Sequence, residues 1–526
     1  MIRNLAALLG SLLALLALPA ALSAQQPPKG GVLRMVLAAE PPTLVSAHNS
    51  SLYVGVLSTK MHEGLVKYGP RMEMQPSLAE SWEFAPDGLT MTFRLRPGVK
   101  WHDGQPFTSA DVKYSMEEVW KKLNPRAATL FASVSGVDTP DPATAVIRLS
   151  RPAPALLVAL DGYNAQIVPK HVYQGKDFAT NPALQAPVGT GPFRFKEWKK
   201  GQYVEMVRNE DYWNRGKPYL DGIVVQFVTD AAARAVALET GSAFYGPFSP
   251  VPASDVARLE KNPQLGFETA GYAVFAPMQL IEINNRQAPL GDPRVRQALR
   301  HAINLDFIVK NIWFGFGAPA TGPLQATSPY YLAGLPQYEY DPAKANRLLD
   351  EAGFKRDAAG NRFTLRILHG ASGETARTAE YLKQAFARIG VQAKLETGDV
   401  GAAIRRVYGD NDFDLYINSM FLSADPTIGV QRLYWSGAIR KGVPFSNSSG
   451  YSNPELDKIW EQTQVEPDPA KRKALFAEMQ KIVQNDLPII PLLESKYFTV
   501  YNRKLHDHTV TADGPYGSFA DAYLVP

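Results

Sequence analysis

The chain has 526 residues, with 55 Lys plus Arg against 51 Asp plus Glu, 45% hydrophobic and 20% charged residues, and no cysteine. That length supports two or three domains with cores of their own, and the balance excludes disorder, collagen and coiled coil. The missing cysteine rules out disulfides, thiolate metal sites, cysteine nucleophiles and a lipid-anchored cysteine, while a net charge of +4 argues against a nucleic-acid channel or a membrane-surface patch.

Residues 1–24 read as a secretory signal peptide. Arg3 supplies a short positive start, Leu5 to Leu18 is nearly all Leu and Ala, and Pro19 with Ala20, Ala21, Ser23 and Ala24 forms a small-residue cleavage region. The apolar stretch is shorter than the about 20 residues needed to span a bilayer. The mature chain, cut after Ala24, is therefore expected outside the cytoplasm.

The N-terminal half reads as β-rich. Leu89 to Arg96 alternates apolar and polar between the turns Asp87-Gly88 and Pro97-Gly98, so one face of this strand is buried. Thr108-Ser109-Ala110-Asp111 reads as a capping box opening a helix, with Val112, Met116, Val119, Trp120 and Leu123 as its apolar stripe. Gly189-Thr190-Gly191-Pro192 turns into a hairpin of Phe193 to Trp198 and Tyr203 to Val207. The unbroken apolar run from Ile223 to Val228 predicts a strand buried on both faces.

In the C-terminal half, Asp292-Pro293, Asp341-Pro342, Asn453-Pro454 and Asp468-Pro469 each place an N-cap before a proline at the first helical position. Phe363 to Leu368, Val391 to Glu396 and Phe413 to Asn418 predict strands; Ala376 to Ile389 and Val400 to Tyr408 predict the helices between them. This β-α-β-α-β order gives a parallel sheet by the right-handed crossover rule. Ligands of open α/β sheets sit beyond the carboxyl ends of the strands. Those ends carry His369-Gly370, Gly398-Asp399 and Ser423-Ala424-Asp425, so this region presents polar and acidic groups to a crevice.

No catalytic or metal motif stands out. His506-Asp507-His508 is the one dense group of potential ligands and reads as a solvated loop lacking further ligands. Gly370-Ala371-Ser372-Gly373 is one residue short of a nucleophile elbow, and the glycines at 315, 317 and 322 fit neither a dinucleotide fingerprint nor a phosphate loop. Neither a metal nor another cofactor is expected.

Across its whole mature length the chain resembles the extracytoplasmic solute-binding proteins of ABC importers, in the family that holds the oligopeptide-, dipeptide- and nickel-binding proteins. The resemblance is carried by Pro76 to Glu83 with Asp87 to Thr90, Phe93 to Gly104, Phe107 to Val112, Val188 to Phe193, Asp292 to Leu299 and Pro488 to Leu492. It implies an α/β clamshell of two lobes joined by a hinge, with an extra subdomain inserted in the first lobe. Lobe I would comprise 25–59, 187–284 and 490–526, the inserted subdomain 60–186, and lobe II 285–489. Closure around a ligand is the form a membrane permease would recognise.

The resemblance also implies site residues. Peptide-binding members hold the ligand as an added strand and give its ammonium group to an aspartate. Phe421-Leu422-Ser423-Ala424-Asp425-Pro426 corresponds to that segment, which makes Asp425 the candidate; it reads equally as an Asp-Pro turn. Asn49, Ser50, Ser51 and Tyr53 match the loop lining the pocket floor, or else cap the next helix. Arg405 and Arg406 are the basic candidates for a carboxylate, against a solvated helix face. Trp435 is a stacking or core residue, and His369 a strand-end candidate that fits a satisfied polar residue better than a chelate anchor. The expected function is capture of a di- or oligopeptide by a monomeric periplasmic protein, with no nucleic-acid partner, and its delivery to an ABC permease. The alternatives are a nickel chelate, opine or sugar in the same role, an exported hydrolase using paired acids, or a chaperone-like receptor.

Overall fold

Each stretch with one apolar face finds a partner sheet, and three sheets organise the molecule. The computed structural model describes residues 27–123, 130–370, 373–398 and 400–526. The expected signal peptide and Asp399 lie outside the described residues.

The first sheet has seven strands in the order Leu265–Glu268, Thr499–Asn502, Tyr245–Gly246, Val32–Leu37, Gly222–Phe227, Tyr203–Arg208 and Phe193–Lys199. The predicted hairpin forms its edge and pairs antiparallel to Gly222–Phe227. That strand was expected to be buried on both faces. Instead Ile223 and Val225 are buried while Val224 and Gln226 are half-exposed, because only one face packs on the core with Met35, Val204 and Met206. Gly189 and Gly191 have a steric reason: a Cβ at 189 would stand 1.8 Å from the Met61 carbonyl oxygen, so only glycine lets this segment lie on the end of helix Leu52–Met61.

A four-stranded antiparallel sheet, Ala79–Phe84, Thr90–Leu95, Thr144–Leu149 and Val134–Asp141, belongs to the inserted region. Met91, Phe93 and Leu95 point to its core, as the alternation predicts. The helix beginning at Ser109 is capped as expected, with the Thr108 amide donating to Asp111 Oδ2 at 2.9 Å. It widens into a π-helical stretch over Ser115–Trp120 that buries Met116, Val119 and Trp120. Leu123, the last residue of the predicted stripe, is exposed, because the change of helical pitch carries it off the buried face.

The third sheet has six strands, Gly317–Pro319, Ile489–Ser495, Pro277–Ile283, Leu415–Phe421, Phe363–Gly370 and Val391–Gly398. The predicted β-α-β-α-β unit is present with parallel pairing of Phe363–Gly370 to both neighbours. Pro277–Ile283 and Ile489–Ser495 pair antiparallel beside it, so the sheet as a whole is mixed. The sequence-based boundaries near 284 and 490 assign these two strands to lobe I; their hydrogen bonds attach them to the other sheet. All four proline-led helices form, each with its Asp or Asn side chain accepting from an amide of the first turn.

The chain passes between the seven- and six-stranded sheets twice, over 269–276 and over 496–498. The two passages run side by side, for their flanking strands pair antiparallel on both sides. The Tyr272 hydroxyl on the first passage meets Thr499 Oγ1 at 2.7 Å and accepts from the Phe248 amide at 2.9 Å, which ties the first passage to the strand that follows the second. This is the two-lobed, hinged clamshell.

Candidate functional site

Beside the two passages lies a cavity of about 100 Å³ lined from every part of the fold. Ser50 and Leu52 come from the start of the first helix, Asp161, Tyr163 and Asn164 from a loop of the inserted region, and Asp513 and Tyr516 from the C-terminal segment. Phe275 comes from the first passage, and Phe421, Ser423, Ala424 and Ile428 come from the second lobe. Ile428 also packs against the core of the inserted region, so the lobes meet over the cavity.

Its apolar wall is a chain of rings. Tyr163 and Tyr516 lie 4.5 Å apart, Phe275 meets Tyr516 edge-on at 4.8 Å, and Phe421 lies 5.7 Å from Phe275. The Tyr163 hydroxyl donates to the Ser50 carbonyl and the Tyr516 hydroxyl to the Leu52 carbonyl at 2.9 Å, fixing both rings on the first helical turn. On the opposite side Ser423 adopts φ +62°, a strained conformation for a side chain with a Cβ, where the strand leaves Phe421 and bends over the cavity.

Among the described residues the polar lining includes two carboxylates. Asp161 Oδ1 accepts from the Tyr163 amide at 2.8 Å and its Oδ2 from Asn164 Nδ2 at 2.6 Å, which shapes the loop. Asp513 Oδ1 is sealed from solvent with no hydrogen-bond partner, and Thr511 Oγ1 close by is outside bonding geometry. Burial pushes the Asp513 carboxyl up to about 6, and the Asp161 carboxylate adds to the rise against the pull of Lys60. Lys60 is fully buried behind the C-terminal segment. Its Nζ donates to the carbonyls of Pro515 at 2.7 Å and Gly517 at 2.6 Å, and burial lowers its pKa to about 7. Lys60 thus pins the segment that carries Asp513 and Tyr516.

Of the nine sequence-derived candidates, the cavity gathers Ser50 alone. Asn49 Oδ1 accepts from the Ser51 amide at 2.9 Å in a local turn, and Ser51 precedes the helix without a side-chain cap. Tyr53 is half-buried against the first-lobe core. Asp425 lies outside the cavity lining. It stands one residue beyond the lining Ala424, but its carboxylate forms a bidentate pair with Arg472 at 2.6 and 2.9 Å and caps its own helix through Thr427. That carboxylate is engaged in an ion pair within the second lobe. His369 is buried with Nδ1 2.8 Å from its neighbour's carbonyl, Arg405 is exposed, Arg406 pairs with Glu396 and Asp412, and Trp435 packs against a second-lobe core. The histidines at 506 and 508 engage Tyr523 and Tyr501, and among the described residues no group of three or more potential ligands could hold a metal.

Sequence reasoning missed Asp161, Tyr163, Asp513 and Tyr516. The available signal was two Asp-Gly turns followed within two residues by tyrosine, Asp161-Gly162-Tyr163 and Asp513-Gly514-Pro515-Tyr516. Each reads as an ordinary turn until the fold stacks the tyrosines.

Comparison with known proteins agrees with this architecture. Residues 73–442 match the family model described as bacterial extracellular solute-binding proteins, family 5 Middle. The glutathione-binding protein GsiB of Salmonella typhimurium is 30% identical over 474 residues, which cover 89% of this chain and 90% of that protein. The structure of DppA from Helicobacter pylori in complex with the peptide STSA superposes with a TM-score of 0.80 at 26% identity, over 95% of this chain and 99% of that one. NikZ from Campylobacter jejuni in complex with Ni(L-His) gives 0.80 at 25% identity, over 93% and 97%. With a family model matching more than half of its length, this chain belongs to the bacterial extracellular solute-binding proteins of family 5, the ligand-capturing components of ABC importers.

Proposed function

We propose that this protein captures a short peptide between its lobes and delivers it to an ABC permease. The carrying observation is the position of the cavity, at the passages between the sheets and walled by both lobes, so that a ligand held there stabilises the closed form. Its size narrows the class. At about 100 Å³ it is smaller than the roughly 300–1,000 Å³ of sites that engulf drug-sized molecules, and it suits a small solute or one end of a peptide. The relatives named for glutathione and for a bound tetrapeptide support a peptide.

We infer a first lobe of 27–59, 187–268 and 499–526, with 60–186 inserted, and a second of 277–495, a division that sheet membership supports. We infer export by the signal peptide with cleavage after Ala24, a monomer in the periplasm, and no nucleic-acid partner. The role is binding without turnover. Among the described residues no helix is long and apolar enough to cross a membrane.

Mass spectrometry of the solute that co-purifies tests the reading, followed by calorimetric titration with di-, tri- and tetrapeptides. A peptide in the cleft is the expected result. Recovery of a metal chelate, opine or sugar, with no heat from peptides, would overturn it. Product analysis after incubation with bound peptides should return them uncut.

A further inference from the structure

Four arginines of the described residues are buried, and three of them have their charge spread over several acceptors. Arg234 donates to the carbonyls of Val228, Thr229 and Pro250, and Arg296 to those of Leu290, Gly291, Asp486 and Leu487. Arg472 pairs with Asp425. Arg300 is the exception. It sits near the end of helix Pro293–His301, 8% exposed, and its one side-chain bond among the described residues runs from Nη1 to the Ile303 carbonyl at 3.3 Å. Burial lowers its pKa only to about 10, so the guanidinium keeps its charge at neutral pH. An isolated buried charge is costly unless a counter-charge meets it.

Arg300 lines a second cavity, of about 10 Å³, which shares no lining residue with the cavity between the lobes. Its walls include Gln337 and Tyr338, Gln484 and Leu487 at the end of helix Pro469–Asp486, and Pro491 on the strand that follows. Their own hydrogen bonds hold these walls in place. Gln337 Nε2 donates to the Thr321 and Leu335 carbonyls, Gln484 Nε2 to the Pro336 carbonyl, and the Tyr338 hydroxyl to the Gln484 carbonyl at 2.7 Å. No carboxylate lines the cavity, so no acid of the described residues neutralises Arg300 there. We propose that this cavity is an anion site in which the Arg300 guanidinium holds a chloride ion. The size selects a monatomic ion, since about 10 Å³ is roughly the room one water-sized sphere needs and leaves none for sulfate, phosphate or a carboxylate group. Water fits the same space and accepts a bond, but it brings no charge to the guanidinium. The site stands or falls independently of what the cleft captures.

The test compares melting temperatures of the wild type and Arg300→Gln in sodium chloride and in sodium gluconate at equal ionic strength. Gluconate is too large for the cavity, so it reports general salt effects alone. Replacing gluconate by chloride should raise the wild-type melting temperature by about 1–3 °C, as for an ion that binds only the native state, and leave Arg300→Gln unmoved. Wild-type crystals soaked in sodium bromide should show an anomalous-scattering peak beside the Arg300 guanidinium. The crystal measurement uses unaltered protein, so a folding defect in Arg300→Gln does not protect the proposal. Absence of a bromide peak at Arg300 overturns the site. So does an equal response to chloride in wild type and variant, which is the result for a cavity that holds water. A bromide peak with no chloride-dependent shift in melting temperature means an adventitious ion only, and overturns the chloride site in solution.

Discussion

Asp425 on the second-lobe wall and Asp513 on the first-lobe wall flank the same cavity, and the fold gives them opposite surroundings. Asp425 accepts four hydrogen bonds: two from Arg472, one from the Thr427 amide at 2.9 Å and one from its hydroxyl at 2.7 Å. Arg472 in turn rests on Phe476 and reaches the Tyr330 hydroxyl. Asp513 has a sealed, unpartnered oxygen and a second acid beside it. Placement at a cleft does not make an acid a ligand residue; what decides is whether the protein has already supplied the counter-charge.

The largest expected effect breaks this comparison on the second-lobe side. Both members of the Asp425–Arg472 pair are about 5% exposed or less, so Asp425→Ala leaves a guanidinium buried and unpaired. It should lower unfolding stability by about 3–5 kcal/mol in denaturant titration. Loss of peptide affinity at unchanged stability would instead return Asp425 to the binding site.

A second effect concerns groups that burial keeps uncharged. His62 is buried with Nε2 unpartnered, and burial lowers its pKa to about 3. His102, lowered to about 4 by burial, takes the Gly189 amide on Nδ1 at 3.1 Å and places Nε2 3.0 Å from the Gly191 carbonyl, a pattern that needs the neutral ring. Both values lie below the unfolded histidine near 6.5, so the unfolded chain binds protons the native state refuses. Their contribution is complete above pH 6.5 and is lost as pH falls from 6.5 toward 4 and 3. His102→Gln, which keeps one donor and one acceptor, should flatten the fall in melting temperature between pH 6.5 and 4. The difference should be on the order of 1–3 kcal/mol.

The first-lobe side predicts a smaller effect of opposite sign. The Asp513 carboxyl is raised to about 6 from a usual value near 3.8, so its charge opposes folding. That cost is absent below pH 3.8, grows as pH rises through 6, and is complete above it. Without ligand, Asp513→Asn should therefore be more stable than wild type by about 1–2 kcal/mol at pH 7.5, and the gain should vanish near pH 4. The same substitution at 425 should destabilise at pH 7.5. Equal behaviour of the two acids would remove the distinction between them.

What could be read in the sequence follows the range of the interactions. The four Asp/Asn-Pro caps and the strand at Thr90–Leu95 depend on residues within a few positions, and they form as expected. Sheet membership of Ile489–Ser495 depends on partners at 277–283 and 317–319, which alternation does not reveal. The site is the extreme case. The local pattern around Asp425 points to the crevice, but Arg472, on a helix far along the chain, changes its meaning. Asp161 and Asp513 become a pair only because the inserted region and the C-terminal segment close on the same helix, through Tyr163 on the Ser50 carbonyl and Tyr516 on the Leu52 carbonyl.

The smallest expected effect tests how far the cavity extends into the second lobe. Arg405, with Arg406 one of two basic candidates for a ligand carboxylate, stands exposed on the helical segment Arg405–Asp410 outside the cavity lining. Its neighbour Arg406 is held by Glu396 at 2.6 Å and Asp412 at 3.1 Å, whereas Arg405 forms no ion pair among the described residues. An exposed cation of this kind has little to lose, so Arg405→Ala should change unfolding stability by no more than about 0.5 kcal/mol and leave peptide affinity unaltered. The outcome bears on where the ligand's carboxylate goes. A loss of affinity for peptides at unchanged stability in Arg405→Ala would extend the occupied cleft to this helix.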